Sequence, residues 1–132
     1  MKTIGRTIAL SFPEIALRSI PAKVDTGAYT SSVHCSKIEK LEGNRISCIF
    51  LDPSHTAYTG KEHEFEIIRE VRVKSSNGTP EKRYMIKTSA EHEGTQFHIF
   101  LTLTNRGGMR YPVLLGRKFL RGKFIVDVSL KA

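Results

Sequence analysis

The amino-acid sequence predicts an all-β fold, either a barrel or a sandwich of short strands. Apolar and polar residues alternate with the period of two that strands show, and turn residues interrupt this alternation at short intervals. The length of 132 residues suits one domain spanning residues 1–132, and a hydrophobic fraction of 39% is enough to build a core.

The strands are placed by this alternation. In the clearest run, Phe97, Ile99, Leu101 and Leu103 alternate with polar residues, as in a strand with one buried face. Residues 64–74 show a similar pattern, with most apolar residues at odd positions. In chain order we expect strands near residues 3–10, 16–24, 31–40, 45–52, 64–74, 82–91, 96–104, 112–115 and 124–128.

Turn sequences rich in Gly and Asn separate these strands. They are Glu42-Gly43-Asn44, Ser76-Asn77-Gly78, Glu93-Gly94 and Arg106-Gly107-Gly108. The pair Asn77-Gly78 is the strongest hairpin signal, because both residues tolerate a positive φ. Residues 117–121 form the only helical candidate, so we expect one short helix near the C-terminal end.

The charge balance is strongly basic but does not by itself define a partner. The chain carries 21 Lys and Arg against 13 Asp and Glu, a formal net charge of +8, and residues 106–132 contribute seven basic residues against one acidic. No recognisable RNA- or DNA-binding motif accompanies this basic run. A solvated basic face is the favoured interpretation, and no nucleic-acid partner is expected.

The two cysteines, Cys35 and Cys48, do not suggest a disulfide framework, although they could face each other across a hairpin. Residues 1–12 are too polar for a secretory signal, and no apolar run approaches the ~20 residues of a membrane span. A cytoplasmic protein with reduced thiols and no membrane association is the simplest interpretation.

The sequence feature that suggests chemistry is Asp25-Thr26-Gly27-Ala28, which follows the apolar strand that ends at Val24. Alone, it is as well explained by an ordinary turn, since Asp and Gly favour turns at strand ends. A second segment, Tyr111 to Leu120, consists of an apolar strand, Gly116-Arg117 and a short helix start.

Together the two segments resemble the retropepsin-like aspartic proteases. The order agrees with that family: the Asp lies early, the Gly-Arg lies late, and an Asn-Gly hairpin between them is a candidate flap. The resemblance is closer to a bacterial and archaeal subfamily that is called ATP-dependent zinc protease and is associated with ATP-grasp ligases of the ribosomal-protein-modifying type. Its motifs IPAKxDTGAxTSxxH, VxSSxGxxxxRxxI and PxLLGRxxLxGxFxVD match residues 20–34, 73–86 and 112–127.

Two positions depart from these patterns. Tyr84 stands where the subfamily often has Pro. Tyr29 stands where retroviral proteases have an acidic residue that pairs with the Arg after the Gly, so the partner of Arg117 is left open.

The resemblance implies a closed retropepsin-like barrel that forms one lobe per chain. Two adjacent carboxylates that share one proton can activate water and protonate the substrate carbonyl. Asp52 and Asp127 lack a following Thr-Gly, so the second carboxylate must come from Asp25 of a second copy, in a homodimer. The implied catalytic residues are Asp25, Thr26 and Gly27, and the implied substrate-binding residues are Ala28, Ser75, Ser76, Asn77, Gly78, Leu115 and Gly116.

No metal or nucleotide cofactor is expected. Possible zinc ligands are present, but there is no His-Glu-x-x-His sequence and no Gly-x-x-x-x-Gly-Lys-Ser/Thr loop for ATP. We interpret the histidines as scattered surface residues, although a site assembled by the fold stays open. The candidate ligands are His34, His55, His63, His92, His98, Cys35 and Cys48.

Three functions remain from the sequence. The first is an aspartic-type peptidase that hydrolyses a peptide or isopeptide bond of a peptide or protein substrate. The second is a non-catalytic module of the same fold that binds a peptide and works with an ATP-grasp ligase. The third and weakest is a basic β-barrel that binds RNA.

Overall fold

The computed structural model describes residues 1–74, 78–105, 107–108 and 110–131, and it confirms an all-β fold with one short helix. A 3-10 helix, Pro13–Ile15, follows the second strand, and the helix α1 is Arg117–Leu120. The strands are β1 Lys2–Ile4, β2 Thr7–Phe12, β3 Leu17–Val24, β4 Ser31–Leu41, β5 Arg45–Phe50, β6 Glu62–Glu66, β7 Arg69–Lys74, β8 Pro80–His92, β9 Thr95–Thr104, β10 Val113–Leu115 and β11 Phe124–Val126.

Six strands close into a barrel in the order β10, β3, β2, β8, β9, β4 and back to β10. Closure depends on β10, which pairs in parallel with β3 and antiparallel with β4. A closed sheet leaves no unpaired edge within the ring. The strands β5 and β6 extend outward from β4, and β7 adds to β8 as a hairpin arm.

The barrel interior holds the core, as alternation predicts. In β9, Ile99, Leu101 and Leu103 are buried as expected. Thr102 and Thr104 are buried too, so this end of β9 is covered on both faces, unlike the single buried face that was predicted. The Thr102 hydroxyl donates a hydrogen bond to the Ser31 carbonyl oxygen at 3.3 Å, which compensates for its burial.

The predicted strand 64–74 is divided in the structure, so that prediction was wrong in part. Residues up to Glu66 pair with β5, whereas Arg69 onward pairs with β8. Between them, the Ile67 amide donates to the Asn44 carbonyl oxygen and the Ile68 amide donates to that of Met85. The chain changes partners here while the alternation continues, so periodicity could not reveal the break. The predicted strand 3–10 is likewise divided into β1 and β2.

The predicted hairpin is confirmed by the pairing of β7 with β8, in which Lys74 lies opposite Pro80. Gly78 has a φ of +83°, as a tight turn requires. Three predicted flap residues, Ser75, Ser76 and Asn77, lie outside the described residues.

Both cysteines are free and buried, on the neighbouring strands β4 and β5. Burial and the contact with Cys48 raise the pKa of the Cys35 thiol well above its usual range, so Cys35 is held as a thiol. Across the described ranges, no helix has the length and apolar character that a membrane crossing needs.

The two ends of the described chain lie side by side. The short strands β1 and β11 pair in parallel and form a separate two-stranded sheet. Beyond it, the Arg6 amide donates to the Leu130 carbonyl oxygen at 2.9 Å, and the Val24 amide donates to that of Arg6 at 2.9 Å. The terminal segments therefore lie next to the end of β3, where Asp25 follows.

Candidate functional site

Asp25 lies where two parallel strands end together. Leu115, the last residue of β10, is in register with Val24, the last residue of β3. The Asp25 amide then donates a hydrogen bond to the Leu115 carbonyl oxygen at 2.9 Å. This bond extends the pairing by one residue and fixes the backbone from which the Asp25 side chain projects.

A tight turn orients the Asp25 carboxylate. The Gly27 amide donates to Asp25 Oδ1 at 3.0 Å, and the Ala28 amide donates to the Asp25 carbonyl oxygen at 3.2 Å. A Cβ on residue 27 would lie 3.3 Å from Oδ1, so glycine gives this oxygen room. Asp25 is half-buried while Thr26 and Gly27 are exposed, which leaves the carboxylate at the surface of the protomer.

The start of α1 holds the segment that follows Asp25. The amides of Arg117 and Lys118 donate to the carbonyl oxygens of Ala28 and Tyr29 at 2.9 and 3.0 Å. The Gly116 amide donates to Ser31 Oγ at 3.0 Å. Residues 28–31, which we call the loop segment, are therefore fixed by backbone atoms from the other end of the chain.

Arg117 has partners that the sequence left open. Its Nη1 donates to the Thr26 carbonyl oxygen at 2.9 Å, and its guanidinium lies 5.8 Å from the centroid of the Tyr29 ring. This distance is within the range of a cation–π contact, so Tyr29 is a partner of Arg117 at the position where the resemblance implied an acidic one. The Thr26 carbonyl oxygen and the Tyr29 ring together hold Arg117 on the turn that carries Asp25.

The structure brings most of the predicted site residues together. Asp25, Thr26, Gly27 and Ala28 form one continuous turn. Leu115 and Gly116 are both buried, so in the protomer they act by holding that turn. Gly78 is exposed in the hairpin arm, and Ser75, Ser76 and Asn77 are outside the described residues.

The contact between the buried His34 and Asp52 was missed, because the sequence analysis interpreted the histidines as surface residues. His34 is 1% exposed, and its Nε2 lies 2.8 Å from Asp52 Oδ2. The Ser54 hydroxyl and amide both donate to Asp52 Oδ1, and these bonds, with His34 and His55 nearby, lower the Asp52 pKa to about 2. The sequence did indicate that His34 has a specific role, because the first motif ends in Thr-Ser-x-x-His with His34 as its last residue.

This pair does not amount to a metal centre. Among the residues that the structure describes, no group of three or more His, Cys, Asp or Glu side chains is placed to hold a metal ion. The bond between His34 and Asp52 instead ties β4 to the segment that follows β5.

Comparison with curated proteins shows relatives that are much longer than this chain. A Shewanella pealeana protein named probable alpha-L-glutamate ligase is 37% identical over 129 residues, which is 96% of this chain and 28% of that protein. A Desulfotalea psychrophila protein of the same name is 31% identical over 133 residues, which is 98% of this chain and 29% of the relative. The chain therefore spans less than a third of the length of these relatives.

The fold and the sequence both match known proteins over nearly the full chain. A crystal structure of a Legionella pneumophila protein of unknown function superposes with a TM-score of 0.77 at 23% identity, covering 98% of this chain and 95% of that one. This likeness concerns the fold. A family model described as "RimB-like: Retropepsin-like aspartic endopeptidase RimB" matches residues 3–132. With the Asp-Thr-Gly turn at the end of β3 and the Gly-Arg segment that holds it, the chain belongs to the RimB-like family of retropepsin-like aspartic endopeptidases.

Proposed function

We propose that this chain is an aspartic-type peptidase whose active site forms between two copies. The observation that carries the proposal is the Asp25 turn, which holds one carboxylate oxygen on a backbone amide and leaves the group at the surface. Within the described ranges, no Lys or Arg side chain forms an ion pair with Asp25. The Asp25 carboxylate is therefore free to share a proton with the Asp25 carboxyl group of a second copy.

The proposed reaction uses one proton shared by two Asp25 carboxylates. Two carboxylates at ~3 Å cannot both ionise, so one stays protonated while the other accepts a proton from water. The water oxygen bonds to the substrate carbonyl carbon while the protonated Asp25 donates to the carbonyl oxygen. As the C–N bond breaks, the Asp25 that took the proton from water donates it to the amine nitrogen. The other Asp25 takes a hydroxyl proton from the collapsing diol, which becomes the product carboxylic acid, so the pair is again singly protonated.

The second copy is expected to dock on the terminal segments. Four of the large apolar side chains that are exposed in the protomer lie there: Met1, Ile125, Val128 and Leu130. Exposed apolar groups of this kind are typical of an interface, and so are the outer edges of the β1–β11 sheet, which pair with no further strand among the described residues. The hydrogen bonds from Leu130 through Arg6 to Val24 connect one end of this surface to the strand end that precedes Asp25, which supports a shared site.

We propose a peptide or protein that carries glutamate residues as the substrate. Two relatives of this chain are named for ligation of L-glutamate, a reaction that forms the kind of amide bond a peptidase hydrolyses. The net charge of +8 suits an acidic substrate, because opposite charge speeds encounter. A link to an ATP-grasp ligase belongs to the same proposal, and the bond cleaved is a peptide or an isopeptide bond.

The second candidate function is a non-catalytic peptide-binding module that works with such a ligase. It is favoured by the single Asp-Thr-Gly in the chain, since one protomer supplies only half of the acid–base pair.

One experiment separates the two functions. Wild type, Asp25→Asn and the control Glu42→Gln, which changes an exposed turn carboxylate, are incubated with a peptide library that includes glutamate-rich members. Mass spectrometry should show cleavage by wild type and by Glu42→Gln, and none by Asp25→Asn, with the circular dichroism of all three unchanged. Cleavage by Asp25→Asn would remove the aspartic mechanism, whereas binding without cleavage in wild type would support the module.

A further inference from the structure

A cavity beside the loop segment carries a second inference. Its volume is about 200 Å³, and residues of α1 and of the middle of β9 line it. Thr30 of the loop segment forms part of its wall, so the cavity adjoins the segment that follows Asp25. Ile99 and Met85, which are both buried, give it an apolar floor.

Basic side chains converge on this cavity. Lys118, Lys123 and His98 line it, and Lys118 Nζ lies 4.7 Å from the centroid of the Phe100 ring. Lys87, opposite Phe100 in the β8–β9 pairing, approaches the same ring at 5.8 Å. We call this arrangement the basic cavity.

The lysines of the basic cavity lack acidic partners. None of Lys87, Lys118 and Lys123 forms an ion pair with a carboxylate in the part of the chain that the structure describes. Lys123 Nζ donates to the Phe119 carbonyl oxygen at 3.0 Å, a neutral partner. Two lysines that line the cavity, with Lys87 nearby, favour an anionic ligand, because each would gain a counter-charge without giving up an existing ion pair.

The size and the aromatic rings favour an acidic side chain over a nucleic acid. The volume is below the ~300–1,000 Å³ of pockets that hold drug-sized ligands, so it suits a single side chain. Single-stranded nucleic acids bind by stacking bases on exposed aromatic faces. Here lysine ammonium groups already contact the rings of Phe100 and Phe119.

We propose that the basic cavity binds a carboxylate side chain of an acidic peptide at a distance from the bond that is cleaved. The methylene groups of a glutamate would pack on the apolar floor while Lys118 and Lys123 neutralise its carboxylate. Only the identity of the peptide rests on the proposed function. The cavity itself requires no catalysis and would serve the peptide-binding module equally well.

The test measures equilibrium binding of a fluorescent hexaglutamate peptide by anisotropy, with Asp25→Asn as the background so that no cleavage intervenes. The variant Lys118→Gln/Lys123→Gln should raise the Kd about tenfold, the loss expected from two exposed charge pairs. The matched control is Lys40→Gln/Lys61→Gln, which removes the same charge from exposed lysines outside the cavity and should leave Kd unchanged. Hexaglutamine should not bind measurably.

The remaining outcomes each count against the cavity. Absent hexaglutamate binding, or equal weakening by the two double variants, would show that no local site exists. A ten-nucleotide RNA that displaces the peptide and depends on Lys118 and Lys123 would assign the cavity to nucleic acid instead. Cleavage by wild type with binding unaffected by Lys118→Gln/Lys123→Gln would overturn the cavity and keep the peptidase. Loss of binding in that variant, together with no cleavage by wild type, would keep the cavity and overturn the peptidase.

Discussion

Replacing Gly116 with alanine should displace the loop segment from the start of α1. Gly116 has a φ of −92° and a ψ of 175°, which any residue can adopt, so the obstacle is contact and not backbone conformation. An added Cβ would lie 2.6 Å from the carbonyl oxygens of both Tyr29 and Thr30. That is about 0.9 Å closer than an ordinary contact of ~3.5 Å.

The cost follows from what holds the loop segment in place. The segment cannot retreat without stretching the hydrogen bonds that Arg117 and Lys118 donate to it. Overpacking costs ~1–3 kcal/mol, and each of the two weakened hydrogen bonds adds about 1 kcal/mol, so we expect the free energy of unfolding to fall by at least about 3 kcal/mol. For a chain of this length that corresponds to a fall in Tm of about 12 °C.

Scanning calorimetry of Gly116→Ala at fixed protein concentration measures this fall directly. Gly107→Ala is the matched control, because no atom lies within 4 Å of a Cβ added there. Peptide cleavage by the Gly116 variant should fall with stability, since the displaced carbonyl oxygens belong to the segment that continues from Asp25. A Tm within about 2 °C of that of the control would refute the steric argument.

Four further predictions concern the turn, the histidine pair, assembly and metal. Arg117→Lys should lower kcat by about tenfold with a smaller effect on Tm, because lysine cannot reproduce both the bond to Thr26 and the contact with Tyr29; unchanged kcat would argue against this role. Because its pKa is lowered, the ionised Asp52 carboxylate stabilises the folded state above about pH 4, and this stabilisation is lost as the pH falls through about 2. The difference in free energy of unfolding between wild type and Asp52→Asn, measured with urea, should therefore shrink between about pH 4 and about pH 2. A constant difference would contradict it. Specific activity should fall on dilution, and sooner in Ile125→Asp, in parallel with dimer dissociation measured by sedimentation; activity that ignores concentration would exclude a shared site. Chelation with EDTA should leave cleavage unchanged while a statine-type transition-state analogue inhibits it, and the opposite pair of results would assign the chemistry to a metal.

The sequence predicted a strand well where one run of alternating residues pairs with a single neighbouring strand. It predicted less well where the pairing strand changes within such a run. Val71 and Val73 continue the pattern begun by Phe65, so nothing in the spacing marks the transfer from β5 to β8. The same limit applies to β9, where Thr102 is polar by type and yet fully buried. Alternation in the sequence shows which face of a strand is apolar, but it does not show whether the opposite face is also covered by the rest of the fold.

At the candidate site, the sequence motifs located the turn but not the atoms that hold it. Asp25 and Gly27 were identifiable because their types and order are specific. The roles of Ser31 and Arg117 depend on backbone atoms that approach from distant segments, and no side-chain pattern encodes those contacts. His34 stood in the motif, yet its partner Asp52 follows a different strand, so only the fold could pair them.

The insertion of β10 between β3 and β4 also determines when the turn can be completed. Thr26 and its partner Arg117 are 91 residues apart in the chain. Contacts of such separation form late and slowly in folding, because most of the chain must first be ordered around them. During synthesis β3 and β4 leave the ribosome before β10, so the ring of strands cannot close until β10 has been made. The turn that carries Asp25 thus acquires its final geometry only after the segment that contains β10 and Arg117 has joined the barrel.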